Sequence, residues 1–114
     1  MIVFLGLLLA IAVEVPVLLL LAARREGPSA LGTWALLGVG ANCITYAPFA
    51  ASLVSLRPAW GAAATLGILE ALVITIEGVV YATVGGRGLR GGLVRSALAN
   101  ALSFAAGLLV WRIP

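Results

Sequence analysis

Three of the four acidic residues in this chain, Glu14, Glu70 and Glu77, lie inside segments apolar enough to cross a bilayer. Two asparagines, Asn42 and Asn100, interrupt similar segments, with Thr45 and Ser103 three residues further on. Carboxylate, amide and hydroxyl oxygens together suit hard cations such as Na⁺, Mg²⁺ or Ca²⁺, or a migrating proton. An ionisable group at mid-membrane costs on the order of 2.5–3.5 kcal/mol on insertion scales. No basic residue lies deep enough in these segments to pair with the carboxyls. Each carboxyl must therefore be protonated, reach water in a cavity, or hold a cation.

The pattern is doubled. Residues 41–47 read Ala-Asn-Cys-Ile-Thr-Tyr-Ala and residues 99–105 read Ala-Asn-Ala-Leu-Ser-Phe-Ala, a spacing of 58. Each copy follows a segment with an interior Glu, Glu14 before Asn42 and Glu77 before Asn100. Ten residues after each Glu stands an Arg, Arg24 and Arg87. The chain thus reads as a tandem duplication of a two-helix hairpin, with repeats at 1–56 and 61–114.

The elements that must position these residues are transmembrane helices. Apolar residues make up 63% of the 114-residue chain and charged residues 10%, far from the balance of a soluble domain. Runs of about 20 mostly apolar residues span the hydrocarbon core, and the sequence predicts four such spans near residues 2–23, 31–54, 61–83 and 92–111. The fold class is all-α integral membrane, in a single membrane domain covering 1–114. Because each repeat holds two spans, both copies enter the membrane in the same direction. The repeats are then parallel, related by a pseudo-twofold axis along the membrane normal.

All seven basic residues are Arg. Arg24, Arg25, Arg87, Arg90 and Arg95 flank the first and third loops, whereas Arg57 and Arg112 fall on the other side. This positive-inside bias places loops 1 and 3 in the cytoplasm and both termini outside it, in a cell or inner membrane. The charge implies a lipid bilayer as partner and no nucleic acid. The first segment has no basic n-region, and Arg24 and Arg25 follow it instead of a cleavage site, so it reads as a retained span.

Local signals refine the spans. Pro16 should kink or loosen the first helix two residues after Glu14. Gly27 and Pro28 end it, with Ser29 available to cap the next, and Leu56-Arg57-Pro58 marks the second boundary. Gly85 to Gly92 reads as a flexible glycine-rich turn with Arg anchors. It lacks the strand and Gly-Lys-Ser/Thr of a phosphate loop. Trp34, Trp60 and Trp111 read as an interfacial aromatic belt.

Depth brings the chemistry together. Glu14 lies about nine residues and Asn42 about eleven from the cytoplasmic ends of their spans; Glu77 and Asn100 lie about six and eight in. At about 1.5 Å per residue, each Glu reaches nearly the level of the Asn in its own repeat. Ser96, Asn100, Ser103 and Gly107 share one helical face, matched by Gly38, Asn42, Thr45 and Phe49. Glu70 lies two turns above Glu77 and Tyr81 one turn below, a polar column directed towards the cytoplasm.

Other chemistries are poorly supplied. There is no His and one cysteine, Cys43, which argues against haem, a conventional zinc or copper site, and an internal disulfide. No Gly-x-Ser-x-Gly and no His base are present, so an enzyme is not expected and no cofactor is implied. Size, four spans and a Glu at position 14 resemble the small multidrug-resistance exporters. The duplicated Glu…Asn-x-x-Ser/Thr hairpin is foreign to that family, so no residue role is carried across.

The sequence therefore predicts a small polytopic protein that moves protons, a small cation or a cation-coupled solute. Glu14, Glu70 and Glu77 form the pathway with Asn42, Asn100, Thr45, Ser103 and Tyr81. The alternative is a non-catalytic subunit or assembly factor of a larger membrane complex, with the Glu–Asn pairs as interhelical glue. Four short helices enclose little volume, so a homo-oligomer or a partner membrane subunit is expected. Gly61, Gly67 and the run from Ala62 to Ala64 would allow close helix contact.

Overall fold

A computed structural model describes residues 2–111, without the side chains of Ile2 and Trp111. Arg112, one of the two arginines on the sparsely charged side, and the Trp111 side chain lie outside the described residues. Four α-helices account for nearly all of the rest: α1 (Ile2–Arg25), α2 (Leu31–Trp60), α3 (Ala62–Thr83) and α4 (Gly88–Trp111). Each is long and apolar enough to cross a membrane. In hydrocarbon the backbone must satisfy its own hydrogen bonds, and a helix does so within one segment. The longest extent of the bundle, 44 Å, matches a bilayer of about 40–45 Å with its interfacial regions.

The helices pack as a ring in chain order. α1 meets α2 and α4, and α3 meets α2 and α4, so α1 and α3 are diagonal, as are α2 and α4. Connections are short and neighbouring helices are antiparallel. Only Gly61 separates α2 from α3, and its φ of 82° is a conformation that favours glycine. Its N–H donates to the Arg57 carbonyl at 2.9 Å, and the Thr65 hydroxyl donates back to the Gly61 carbonyl at 2.6 Å.

Several local expectations need correction. α2 continues through Pro48 and Pro58 to Trp60, past the boundary expected at Leu56-Arg57-Pro58, and Pro16 lies inside an α1 that runs unbroken from Ile2 to Arg25. A proline removes one donor, but the surrounding turns keep theirs, and neighbouring helices hold the segment in place. Ser29 lies in a 3-10 turn over Pro28–Ala30; α2 has Ala30 as its N-cap, without a side-chain bond.

The glycine-rich stretch is not all turn: α4 already begins at Gly88. Tertiary packing compensates for poor helix propensity there. Gly92 lies flush against α3, where a Cβ would come within 2.2 Å of the Gly78 carbonyl oxygen and 2.5 Å of the Ala82 nitrogen. Ala62, Ala63, Ala64 and Gly67 do not serve helix packing within this chain; all four are exposed, and a Cβ on Gly67 would meet open space. Trp34 is also displaced from its expected place in a belt. It is buried between α2 and α3, while Trp60 is half exposed at the end of α2.

These two glycines predict opposite outcomes. Gly92→Ala should force α3 and α4 apart and lower the unfolding midpoint in mixed detergent. Gly67→Ala should be neutral or slightly stabilising, since alanine is favoured in a helix by up to about 1 kcal/mol.

Candidate functional site

The two asparagines are fixed in the same way in both halves. Asn42 Nδ2 donates to Glu14 Oε2 at 2.9 Å and to the Gly38 carbonyl of its own helix at 3.0 Å. Asn100 Nδ2 donates to Glu77 Oε2 at 2.8 Å and to the Ser96 carbonyl at 2.9 Å. An amide NH₂ has two protons, so each Asn is tethered to the preceding turn and points the other proton at a carboxyl. All four residues are buried. The i, i+4 position of the accepting carbonyl fixes the amide, and the depth match between helices places the Glu.

The halves are not independent. Thr45, one turn beyond Asn42 on α2, donates its hydroxyl to Glu77 Oε1 at 2.8 Å and lies 2.9 Å from the Ala41 carbonyl. α2 therefore contacts Glu14 through Asn42 and Glu77 through Thr45. On α4, the Ser96 hydroxyl donates to the Ile74 carbonyl of α3 at 2.8 Å. Small residues allow the close approach: a Cβ on Gly38 would meet Leu18 and Val15, and one on Gly78 would meet Leu93.

Most of these groups line a cavity of about 420 Å³ between the four helices. Glu14, Asn42, Thr45, Glu77, Asn100 and Ser103 are on its wall near mid-bundle. Glu70 joins them two turns nearer the end that carries the α2–α3 turn; it is half-buried and makes no side-chain hydrogen bond among the described residues. The remaining wall is apolar and aromatic, including Leu9, Tyr46, Phe49, Leu66 and Phe104. Tyr46 occupies space that only a glycine at position 6 leaves open, since a Cβ there would fall 1.7 Å from its hydroxyl oxygen. The cavity reaches Gly6, Leu53, Leu66 and Leu108 and is partly open.

In the opposite half of the bundle a cluster of buried side chains packs together at the centre. Leu18, Ala22, Trp34, Ala41, Tyr81 and Ala99 form its core, with Leu18, Ala22, Tyr81 and Ala99 fully buried. Trp34 and Tyr81 pack edge to face with ring centroids 5.6 Å apart, an arrangement favourable for aromatic pairs. The Arg95 guanidinium lies over the Trp34 ring, 4.2 Å from its centroid. Arg95 and Arg87 both donate to Glu26 Oε1, the latter at 2.9 Å. Tyr81 is thus part of this packing, its hydroxyl unpartnered, and is absent from the cavity wall. The polar column expected along α3 stops at Glu77.

Of the residues singled out from the sequence, the cavity gathers Glu14, Glu70, Glu77, Asn42, Asn100, Thr45 and Ser103 and leaves out Tyr81. Glu70 stands two turns along α3 from Glu77, and among the described residues no group of three or more acidic, His or Cys side chains is close enough to hold a metal ion. Cys43 faces outward and is exposed. Sequence reasoning assigned no role to Tyr46 or Leu53, although both follow Asn42 on one helical face at i+4 and i+11. Glu26, the one acidic residue outside the spans, also received no role; its contact with Arg95 crosses 69 positions of sequence and carries no local signal. Comparison with protein-family models, curated proteins and solved structures returns no match.

Replacing an Asn tests the tether directly. Asn42→Leu and Asn100→Leu each leave a buried carboxyl short of a partner and should lower stability by about 1–3 kcal/mol. Thr75→Val removes only a bond to its own helix on an exposed face and should change stability by less than about 0.5 kcal/mol. Unfolding in mixed micelles reads both.

Proposed function

We propose that this protein is a membrane transporter in which protons, a small cation, or a solute coupled to them travel through the carboxyl-lined cavity. One observation carries the reading: buried carboxyls lie where a partly open cavity meets a packed cluster of buried side chains. Such a site can exchange a cation with one side of a membrane while the packed half blocks the other. Glu14 and Glu77 are the titrating or liganding groups, Asn42 and Asn100 orient them, and Thr45 and Ser103 add oxygens. Glu70 extends the path toward the mouth.

The repeated Glu–Asn geometry supports an origin in a duplicated hairpin, with parallel repeats about an axis along the membrane normal. The arginine bias supports a cytoplasmic position for the α1–α2 and α3–α4 connections, hence a cavity facing away from the cytoplasm. A second reading has its own support. The Glu–Asn bonds link α1 to α2 and α3 to α4 as structural glue would. The exposed small residues from Ala62 to Gly67 offer a close-packing face to a second copy or to another membrane subunit.

Flux in liposomes separates the two. Purified protein should carry protons or a monovalent cation above the level of empty vesicles, and Glu14→Gln and Glu77→Gln should each return it to that level while the protein stays folded. Absence of flux from correctly inserted parent protein would favour the subunit reading.

A further inference from the structure

A second cavity, of about 490 Å³, lies between the end of α1 and the start of α4, at the packed end of the bundle. Four arginines line it: Arg25 from α1, Arg87 from the connection before α4, and Arg90 and Arg95 from α4. One carboxylate, Glu26, serves this group and is bound to Arg87 and Arg95 through a single oxygen. Arg25 and Arg90 have no ionic partner among the described residues, and the buried Arg95 keeps one terminal nitrogen, Nη1, without a hydrogen-bond partner. Four guanidinium groups against one carboxylate leave a local excess of positive charge, with donor forks suited to phosphate oxygens.

The remainder of the wall identifies the kind of anion. Leu21 of α1 with Val94 and Leu98 of α4 line the same cavity. Val94 and Leu98 are about half exposed, one and two turns from Arg90 into the apolar part of the helix. An anion with a hydrocarbon tail matches both parts of this surface, whereas a free phosphate matches only the first. We propose that this groove binds an anionic phospholipid, its phosphate held by Arg25 and Arg90 and its acyl chain laid along Leu21, Val94 and Leu98. The proposal does not depend on the transport reading, because no residue of the carboxyl cavity takes part.

The test compares the whole chain in neutral detergent with added phosphatidylglycerol, phosphatidylcholine or inorganic phosphate. Readouts are the thermal unfolding midpoint and lipid retained in native mass spectrometry. Phosphatidylglycerol should raise the midpoint and be retained in preference to phosphatidylcholine, and inorganic phosphate should do neither. Arg25→Gln/Arg90→Gln should weaken the preference by about an order of magnitude or more, since each arginine near an anionic lipid is worth roughly a fivefold change. Both positions are exposed, so the double variant should keep the parent's midpoint in phosphatidylcholine. Arg25→Lys/Arg90→Lys, which keeps the charge, should restore part of the preference. Equal retention of the two lipids, or an unchanged preference in the Gln variant, would overturn the proposal. Equal stabilisation by inorganic phosphate would overturn the lipid assignment in favour of a soluble anion.

Discussion

A carboxyl buried at mid-membrane must have a hydrogen-bonding partner, and in this protein an asparagine supplies it in both halves. The rest of the bundle follows from that requirement. Each Asn must approach its Glu at hydrogen-bond distance, so the helices of each hairpin come close, and small residues at Gly38, Gly78 and Gly92 permit it. Thr45 then ties Glu77 to the helix that already carries Asn42, which sets α2 against α3. The polar contacts are individually modest, on the order of 0.6–2 kcal/mol each in a membrane. Leaving one unmade costs more, because no water replaces the lost partner.

The bundle is asymmetric along its length although its Glu–Asn bonds are repeated. On one side of the carboxyls, Trp34, Tyr81, Leu18 and Arg95 fill the space between helices. On the other, the wall is lined by Leu, Phe and Tyr side chains and a cavity remains. Trp34 extends inward between α2 and α3, whereas the glycine at position 6 makes room for Tyr46 at the cavity wall. The Glu26–Arg87–Arg95 cluster lies at the packed end of the bundle.

Much of this was readable from residue order. The spans follow from apolar runs, and the equal depths of Glu14 with Asn42 and of Glu77 with Asn100 follow from counting 1.5 Å steps. Lateral relations were harder. Spacing puts Thr45 on the face of Asn42, yet it cannot tell that Thr45 turns to Glu77 on the next helix instead of to Glu14. Trp34 near a span end reads as a belt residue, because burial against Tyr81 and Arg95 depends on partners 47 and 61 positions away. Gly88 to Gly92 reads as a turn because propensity is local, whereas the helix there is held by contact with Gly78 and Ala82. Tyr81 shares the direction of Glu77 along α3, but one turn further on it packs against Trp34 in the core.

The proposed function requires that the carboxyls face a cavity reachable from one end of the bundle and sealed from the other. Single cysteines placed in a Cys43→Ala background test it most directly, using a membrane-impermeant maleimide on each side of oriented vesicles. Leu66→Cys and Ser103→Cys should label from the side of the α2–α3 turn alone, and Leu18→Cys and Ala99→Cys from neither side. Labelling of Ser103→Cys from the arginine-rich side, or its complete protection from both, would contradict the account.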